Sequence, residues 1–343
     1  MITLIYGGSA SGKSSFAEQH AVTCSAKGPR YYIATMKVYG EDGVRRVERH
    51  VRLREGKGFH TIECPVDIAS CLEQVPDPSR STILIECVSN LAANEMFDNG
   101  LSKERVTRKI TAQIREVCRI AEHCVIVTNN IFEDGVNYEN ETADYIQCLG
   151  DINRQLAQLA DEVIEVAAGV PCVLAGSSDG LPGSCVKNAE STFPEEIKDP
   201  QMKKGGRRAM QLVIGGRAQG KKDYVIRQVQ SRNLTYSVID EHGPGLHDIP
   251  PETQVLILDH LHLLIRRLGA EEPARACLRQ IMDQCQAAGM ELIIICDETG
   301  NGVVPLTKEE RDYREHVGRI VCSLAQEASS VEKITCGLPW KLL

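Results

Sequence analysis

The sequence is poor in aromatic residues and in long apolar runs. Phe, Trp and Tyr make up 4% of its 343 residues, with a single Trp. No apolar stretch approaches the ~18 residues that a membrane-crossing helix needs, so no membrane span is expected. There is no excess of positive charge. The net charge of -8 argues against a general binder of nucleic acid or lipid surfaces. The opening MITLIYGGSASGKSS has no basic region ahead of its apolar run and no cleavage site, so it is read as a strand entering a loop and not as a signal peptide. A Cys-x-x-Cys pair is also missing, although the chain has 14 cysteines. Metal-ligand spacing is therefore absent. Several cysteines, such as Cys87 in ILIECV and Cys296 in LIIICDE, sit inside apolar runs. They read as reduced, buried thiols of a cytoplasmic protein.

What is present is an ordinary globular composition, 42% hydrophobic and 25% charged, at a length suited to about two domains. The pattern is written twice. MITLIYGGSASGKSS is echoed from Met210 by MQLVIGGRAQGKKD, and TILIECVSNL by QVLILDHLHLL. Residues 125–174 align without a gap to 293–342, and about 15 of about 50 columns are identical. Asp144-Tyr145 falls on Asp312-Tyr313, Gly150 on Gly318, and Gly169 and Pro171 on Gly337 and Pro339. Between the copies lies a stretch rich in Gly, Ser, Pro and charge. The expected organisation is a domain over 1–174, a linker over 175–209 and a shortened copy over 210–343. Short β-branched runs (ITLIY, YYIAT, TILIEC, CVIVTN, DEVIEVA) alternate with stretches of helical period, such as KERVTRKITAQIREVCRIAEH. That alternation predicts an α/β fold with a mostly parallel sheet flanked by helices, present twice in tandem. Ligands are expected at the carboxyl ends of its strands.

Gly7-Gly8-Ser9-Ala10-Ser11-Gly12-Lys13-Ser14 matches G-x-x-x-x-G-K-[ST] between a strand and a helix, the P-loop pattern. Glycines let the backbone curl so that its N–H groups face a phosphate, and the helix N-terminus adds partial positive charge. Lys13 is expected to reach the outer phosphates and Ser14 to ligate Mg²⁺. TILIECV ends its apolar run at Glu86, where P-loop proteins place an acid near the metal. Arg45, Arg46, Arg49, His50, Arg52 and Arg54 form a basic cluster in an acidic chain. Such a cluster suits a triphosphate, and a neutral imidazole is a competent phosphorus nucleophile. A lone His in a basic helix is more often simply solvated.

GGSASGKSSFAE, YYIATM, RRVERHVRLREGKGFHTIE and ILIECVSNLAANEMF together resemble the bifunctional adenosylcobinamide kinase/adenosylcobinamide-phosphate guanylyltransferase family of cobalamin biosynthesis. The likeness covers residues 1 to about 174 and returns, weaker, from 210 to 343. It implies a P-loop NTPase-like fold and a transferase with two steps. One phosphorylates adenosylcobinamide with ATP or GTP. The other moves GMP from GTP through a guanylyl-histidine to give adenosylcobinamide-GDP. The resemblance puts the histidine at His50 and guanine-nucleotide contacts at Val51, Arg52, Leu53, Arg54 and Glu63. It puts further nucleotide contacts at Ala34, Thr35 and Met36, and the family acid at Glu86. It also implies a homo-oligomer or pseudo-oligomer.

The copies depart from the family in complementary ways. The first has Asn129-Asn130-Ile131-Phe132-Glu133-Asp134-Gly135 where the family has a glycine-proline loop, and it lacks the paired arginines that follow. The second keeps Gly300-Asn301-Gly302, Pro305, Arg311 and Arg314. Its loop, however, ends Gly220-Lys221-Lys222 without the metal-binding hydroxyl, and its histidine segment is deleted. Gly300, Gly302, Arg311 and Arg314 are therefore expected to complete a composite site with the first copy, in the same chain or a neighbouring one; the alternative is that they only cap a helix and turn a loop. The alternatives are a kinase-only enzyme acting on a small-molecule alcohol, and a nucleotide-binding regulator without turnover.

Overall fold

The computed structural model describes all residues except 26–27, 39–43, 45–46, 49–50, 53, 135, 137, 177–209 and 241–248. Among the described residues there are two separate sheets. The chain divides into two compact units. The first comprises Met1–Gly7, Lys13–Ala167 and Pro171–Ser184, and the second Gly8–Gly12, Ala168–Val170 and Cys185–Leu343.

The first sheet contains β1 (Ile2–Gly7), β2 (Arg30–Ala34), β3 (Phe59–Glu63), β4 (Thr82–Glu86), β5 (His123–Asn129), β6 (Glu162–Ala167) and β7 (Val170–Ala175). Its order is β3-β2-β4-β5-β1-β6-β7. Every pairing from β3 across to β6 is parallel. The central strands are near-continuous apolar runs because both faces are covered: Ile83, Leu84 and Ile85 of β4 have no exposed surface. The covering helices are α1 (Lys13–Cys24), α2 (Val88–Ala93), α3 (Lys103–Ile120) and α4 (Asn140–Leu159). α3 buries Val106, Ile110, Ile114 and Val117, one stripe at helical spacing, and leaves its charged residues outside.

The second sheet contains β8 (Met210–Gly215), β9 (Tyr236–Ile239), β10 (Val255–Leu258), β11 (Glu291–Asp297), β12 (Ser330–Thr335) and β13 (Leu338–Lys341). Its helices are α5 (Lys221–Ser231), α6 (Leu261–Leu268), α7 (Glu271–Ala288) and α8 (Lys308–Glu327). The order β13-β12-β8-β11-β10-β9, read from the other end, repeats the first sheet strand for strand, with no counterpart of β3 among the described residues. The duplicated α/β architecture expected from the sequence is the one observed.

β3 and β7 went unrecognised in the sequence because an edge strand carries a weak signal. β3 buries only Ile62, and β7 buries only its first two residues.

Candidate active site

In the first unit, the carboxyl ends of parallel strands bring acids and small residues into one row. Register places Ala34 of β2 opposite Glu63 of β3 on one side and opposite Glu86 of β4 on the other. Gly7 ends β1 opposite Asn129 of β5. The P-loop leaves from Gly7 and runs into α1, so Lys13 and Ser14 open that helix beside Glu86. The Ser14 hydroxyl donates to Glu86 Oε1 at 2.9 Å. The other oxygen, Oε2, is buried and has no hydrogen-bond partner. Burial pushes the Glu86 carboxyl up to about 7, with Lys13 and the Ser14 hydroxyl pulling it back. Burial likewise pushes the Lys13 ammonium below its ordinary value, against the pull of Glu86. An acid with one bare buried oxygen beside a hydroxyl is a hard-oxygen donor set, which suits Mg²⁺.

The loop is shaped by two positive φ values, at Ala10 (φ 55) and Gly12 (φ 89). Gly12 has a second constraint: a Cβ there would lie 3.0 Å from the Gly169 backbone. The Gly169 amide donates to the Ser11 carbonyl at 2.8 Å. Within the second unit, to which Gly8–Gly12 belong, the Ser9 amide donates to the Gly300 carbonyl at 2.9 Å. A Cβ on Gly8 would collide with Asn301 Oδ1. Arg311 donates to the Pro305 carbonyl at 3.0 Å and to that of Leu306, and Arg314 donates to the Val303 carbonyl at 3.0 Å. Both arginines thus grip the loop that carries Gly300 and the buried Gly302.

Not every expected contact residue faces a ligand position. Thr35 is fully buried, and its hydroxyl is spent within the scaffold. That hydroxyl accepts from the Cys87 amide at 2.7 Å and donates to the Cys87 carbonyl at 2.8 Å. It fastens the end of β2 to the end of β4, so it positions Glu86. Asn94 extends the fastening by donating to the carbonyls of Thr35 and Pro65, both at 2.8 Å. Ala34 and Met36 are half-buried, and Glu63, Val51 and Arg52 are exposed. Arg54 is buried, its guanidinium 3.7 Å from the centre of the Tyr32 ring. Lys57 ties the segment after it to α1 through a 2.7 Å ion pair with Glu18. His50 and Leu53, with Arg45, Arg46 and Arg49, lie outside the described residues.

Sequence reading missed Glu18, Asn94 and Asn129. Asn129 donates to the Ser89 hydroxyl at 2.7 Å and keeps its Oδ1 buried without a partner, at the strand end next to Gly7. A polar residue closing an apolar strand was the available signal. Asn153 accepts from the Thr128 hydroxyl at 2.7 Å and steadies the same strand.

The sequence model of the cobinamide kinase / cobinamide phosphate guanyltransferase family matches residues 3–174 and, a second time, 212–342. The chain belongs to this family. Among its relatives is the bifunctional adenosylcobalamin biosynthesis protein CobU of Escherichia coli, 29% identical over 184 residues, which are 50% of this chain and 97% of that protein. The protein of the same name from Salmonella typhimurium is 29% identical over 187 residues, again 50% of this chain and 97% of the relative. CobP of Pseudomonas aeruginosa is 25% identical over 176 residues, 51% of this chain and 98% of the relative. Each relative is thus matched over almost its whole length by about half of this chain, whereas the family model is met twice. A second, divergent family domain in one polypeptide explains both facts. The family is one of nucleotide-using transferases, in keeping with the P-loop, Lys13 and Glu86. No helix among the described residues is long and apolar enough to cross a membrane.

Proposed function

We propose that residues 1–174 form the catalytic domain of a cytoplasmic cobinamide kinase and guanylyltransferase, with residues 210–343 a shortened copy that does not turn over. The observation that carries this reading is the buried Lys13 beside the Ser14–Glu86 pair at the carboxyl end of the sheet. In the kinase step the alcohol oxygen of adenosylcobinamide attacks the γ-phosphorus of ATP or GTP. The bond to the β-phosphate oxygen breaks, and the nucleoside diphosphate leaves as the alcohol loses its proton. Lys13 and the N-terminus of α1 offset the charge that builds on the phosphate oxygens. Ser14 and Glu86 would hold Mg²⁺, whose chemistry is charge neutralisation on the triphosphate.

In the second step an imidazole nitrogen of His50 attacks the α-phosphorus of GTP and pyrophosphate leaves. The phosphate of the first product then displaces the histidine to form adenosylcobinamide-GDP. Arg52, Arg54 and Glu63, with Val51 and Leu53, would hold the guanine nucleotide, and Ala34 and Met36 would line the same row. Gly300 and Gly302, on a loop gripped by Arg311 and Arg314, would brace the phosphate loop from Ser9. The chain would work as an oligomer or as a pseudo-oligomer of its own copies. Free thiols throughout the described residues suit a reducing compartment.

The test is to incubate the full-length chain with adenosylcobinamide, Mg²⁺ and ATP or GTP and to weigh the corrinoid products. The proposal expects a phosphorylated product and then, with GTP, the guanylylated one. Phosphorylation alone would establish a kinase-only enzyme, and an unchanged corrinoid would favour the regulator.

A further inference from the structure

The loop of the second copy has the glycines and lysine of a phosphate site, yet its charges are already matched. Repeat alignment places Lys221 on Lys13, Lys222 on Ser14, Asp259 at the strand end equivalent to that of Glu86, and Asp297 on Asn129. The backbone device is kept. Gly220 has φ +80, and the Gly337 amide donates to the Gln219 carbonyl at 3.0 Å, as Gly169 does to Ser11 in the first copy. The side chains do something different. Lys221 Nζ lies 2.7 Å from Asp297 Oδ1 and donates to the carbonyls of Gly216 at 2.6 Å and Gly215 at 3.3 Å. Its ammonium is thus turned back onto its own loop. Lys222 Nζ lies 3.0 Å from Oδ2 of Asp259, which is 2% exposed. The same oxygen lies 3.1 Å from His260 Nδ1, and Oδ1 accepts from the His260 amide at 3.0 Å. Asp259 Oδ2 thus has two nitrogen groups within ion-pair distance, whereas Glu86 is met by the Ser14 hydroxyl on Oε1; neither Asp259 Oδ2 nor Glu86 Oε2 has a hydrogen-bond partner among the described residues. The remaining oxygen of Asp297 faces His262 Nε2 at 3.6 Å.

This donor set does not fit Mg²⁺. It has no hydroxyl ligand, and an ammonium stands against the carboxylate that would receive the metal. A tethered cation also repels a divalent one.

We propose that Lys222 is a built-in cation that replaces the divalent metal in the second copy, and that Asp297 holds Lys221 where a phosphate would otherwise be. The two substitutions act together. One neutralises the acid and the other the loop lysine, so the copy stays folded and charge-balanced with neither metal nor nucleotide. Each chain accordingly takes up one Mg²⁺-nucleotide, governed by Lys13. The inference uses the P-loop of the first copy as its reference but assumes nothing about the corrinoid. It can therefore fail or stand separately from the proposed reaction.

The test uses the full chain with a fluorescent GTP analogue and, separately, Mg²⁺ alone. One nucleotide per chain is expected, falling at least ~100-fold in affinity with Lys13→Ala. Residual Mg²⁺-dependent binding in that variant, lost on adding Lys221→Ala, would overturn the proposal. The second readout is melting without nucleotide. Lys222→Met leaves Asp259 buried without its cation and should lower the melting temperature by about 5 °C, while Lys222→Arg should not. Lys222→Ser recreates the hydroxyl–acid pair and should be stabilised by Mg²⁺ alone, whereas the wild-type second copy should not respond. An unchanged melt in Lys222→Met, or an equal Mg²⁺ response in the wild-type second copy, would contradict the built-in cation.

Discussion

Lys13 is buried beside Glu86, and the neighbouring strand β5 ends in the neutral Asn129. Lys221 sits at the same place in the second sheet, 2.7 Å from the carboxylate of Asp297. The strand order and the glycine turn are common to both. What separates the copies is charge balance. The first copy presents a neutral amide at Asn129 and a hydroxyl at Ser14, where the second presents a carboxylate at Asp297 and an ammonium at Lys222, so the second supplies counter-charges of its own to its loop lysine and its acid. The comparison teaches that an intact G-x-x-x-x-G-K sequence records ancestry, whereas the partners of its lysine record use.

The largest expected difference between the copies is in turnover. Lys13→Ala should reduce phosphorylation of adenosylcobinamide by about 10²-fold or more, and Lys221→Ala should leave it within about twofold of wild type. Steady-state rates of the two purified variants decide this, and equal losses would break the comparison.

Acid pH gives the next contrast. His20 in α1 is fully buried against Thr3, with Nε2 3.1 Å from its hydroxyl. Burial, reinforced by His123, lowers its folded pKa to about 4, below the ordinary His value of 6.5. The neutral ring therefore contributes stability that is complete above about pH 6.5 and is lost progressively as pH falls towards 4. The loss is of order 3 kcal/mol at most. The equivalent position in α5 is Gln228, which does not titrate. Glu86, raised to about 7, acts in the opposite direction over the same range, so the His20 contribution is read as a difference: chemical denaturation between pH 7 and 4 should show wild type losing stability relative to His20→Gln as pH falls.

Two smaller effects sharpen the comparison. Gly12→Ala and Gly220→Ala both place a side chain at positive φ, which costs roughly 1–2 kcal/mol. The first should be the worse, because its Cβ lies 3.0 Å from the Gly169 backbone and the second lies 3.7 Å from that of Gly337. Asp259→Asn should cost only about 1 kcal/mol, since the half-exposed Lys222 can turn to water. Melting curves of the three variants test this ranking.

Much of this was legible in the residues. The tandem repeat, the P-loop and the acid closing β4 are local patterns whose physics is strong enough to read in one dimension. The edge strand β3 was not legible, because FHTIE alternates without burying more than Ile62. Nor was the role of Thr35. A threonine at a strand end looks the same whether it meets a ligand or, as here, fastens Cys87. The pairing of Lys221 with Asp297 joins residues far apart in sequence, so only folding reveals it. Paired arginines such as Arg311 and Arg314 suggest phosphate, yet both donate to carbonyls of their own loop.

The central claim is that one copy carries the chemistry and the other does not. It is tested most directly by incubating the full-length chain with GTP labelled in the α-phosphate, denaturing it, and mapping the label. The account predicts at most one label per chain, on His50, released by mild acid and stable in base, and absent from His50→Ala. Label on any residue between 210 and 343, or two labels per chain, would contradict it.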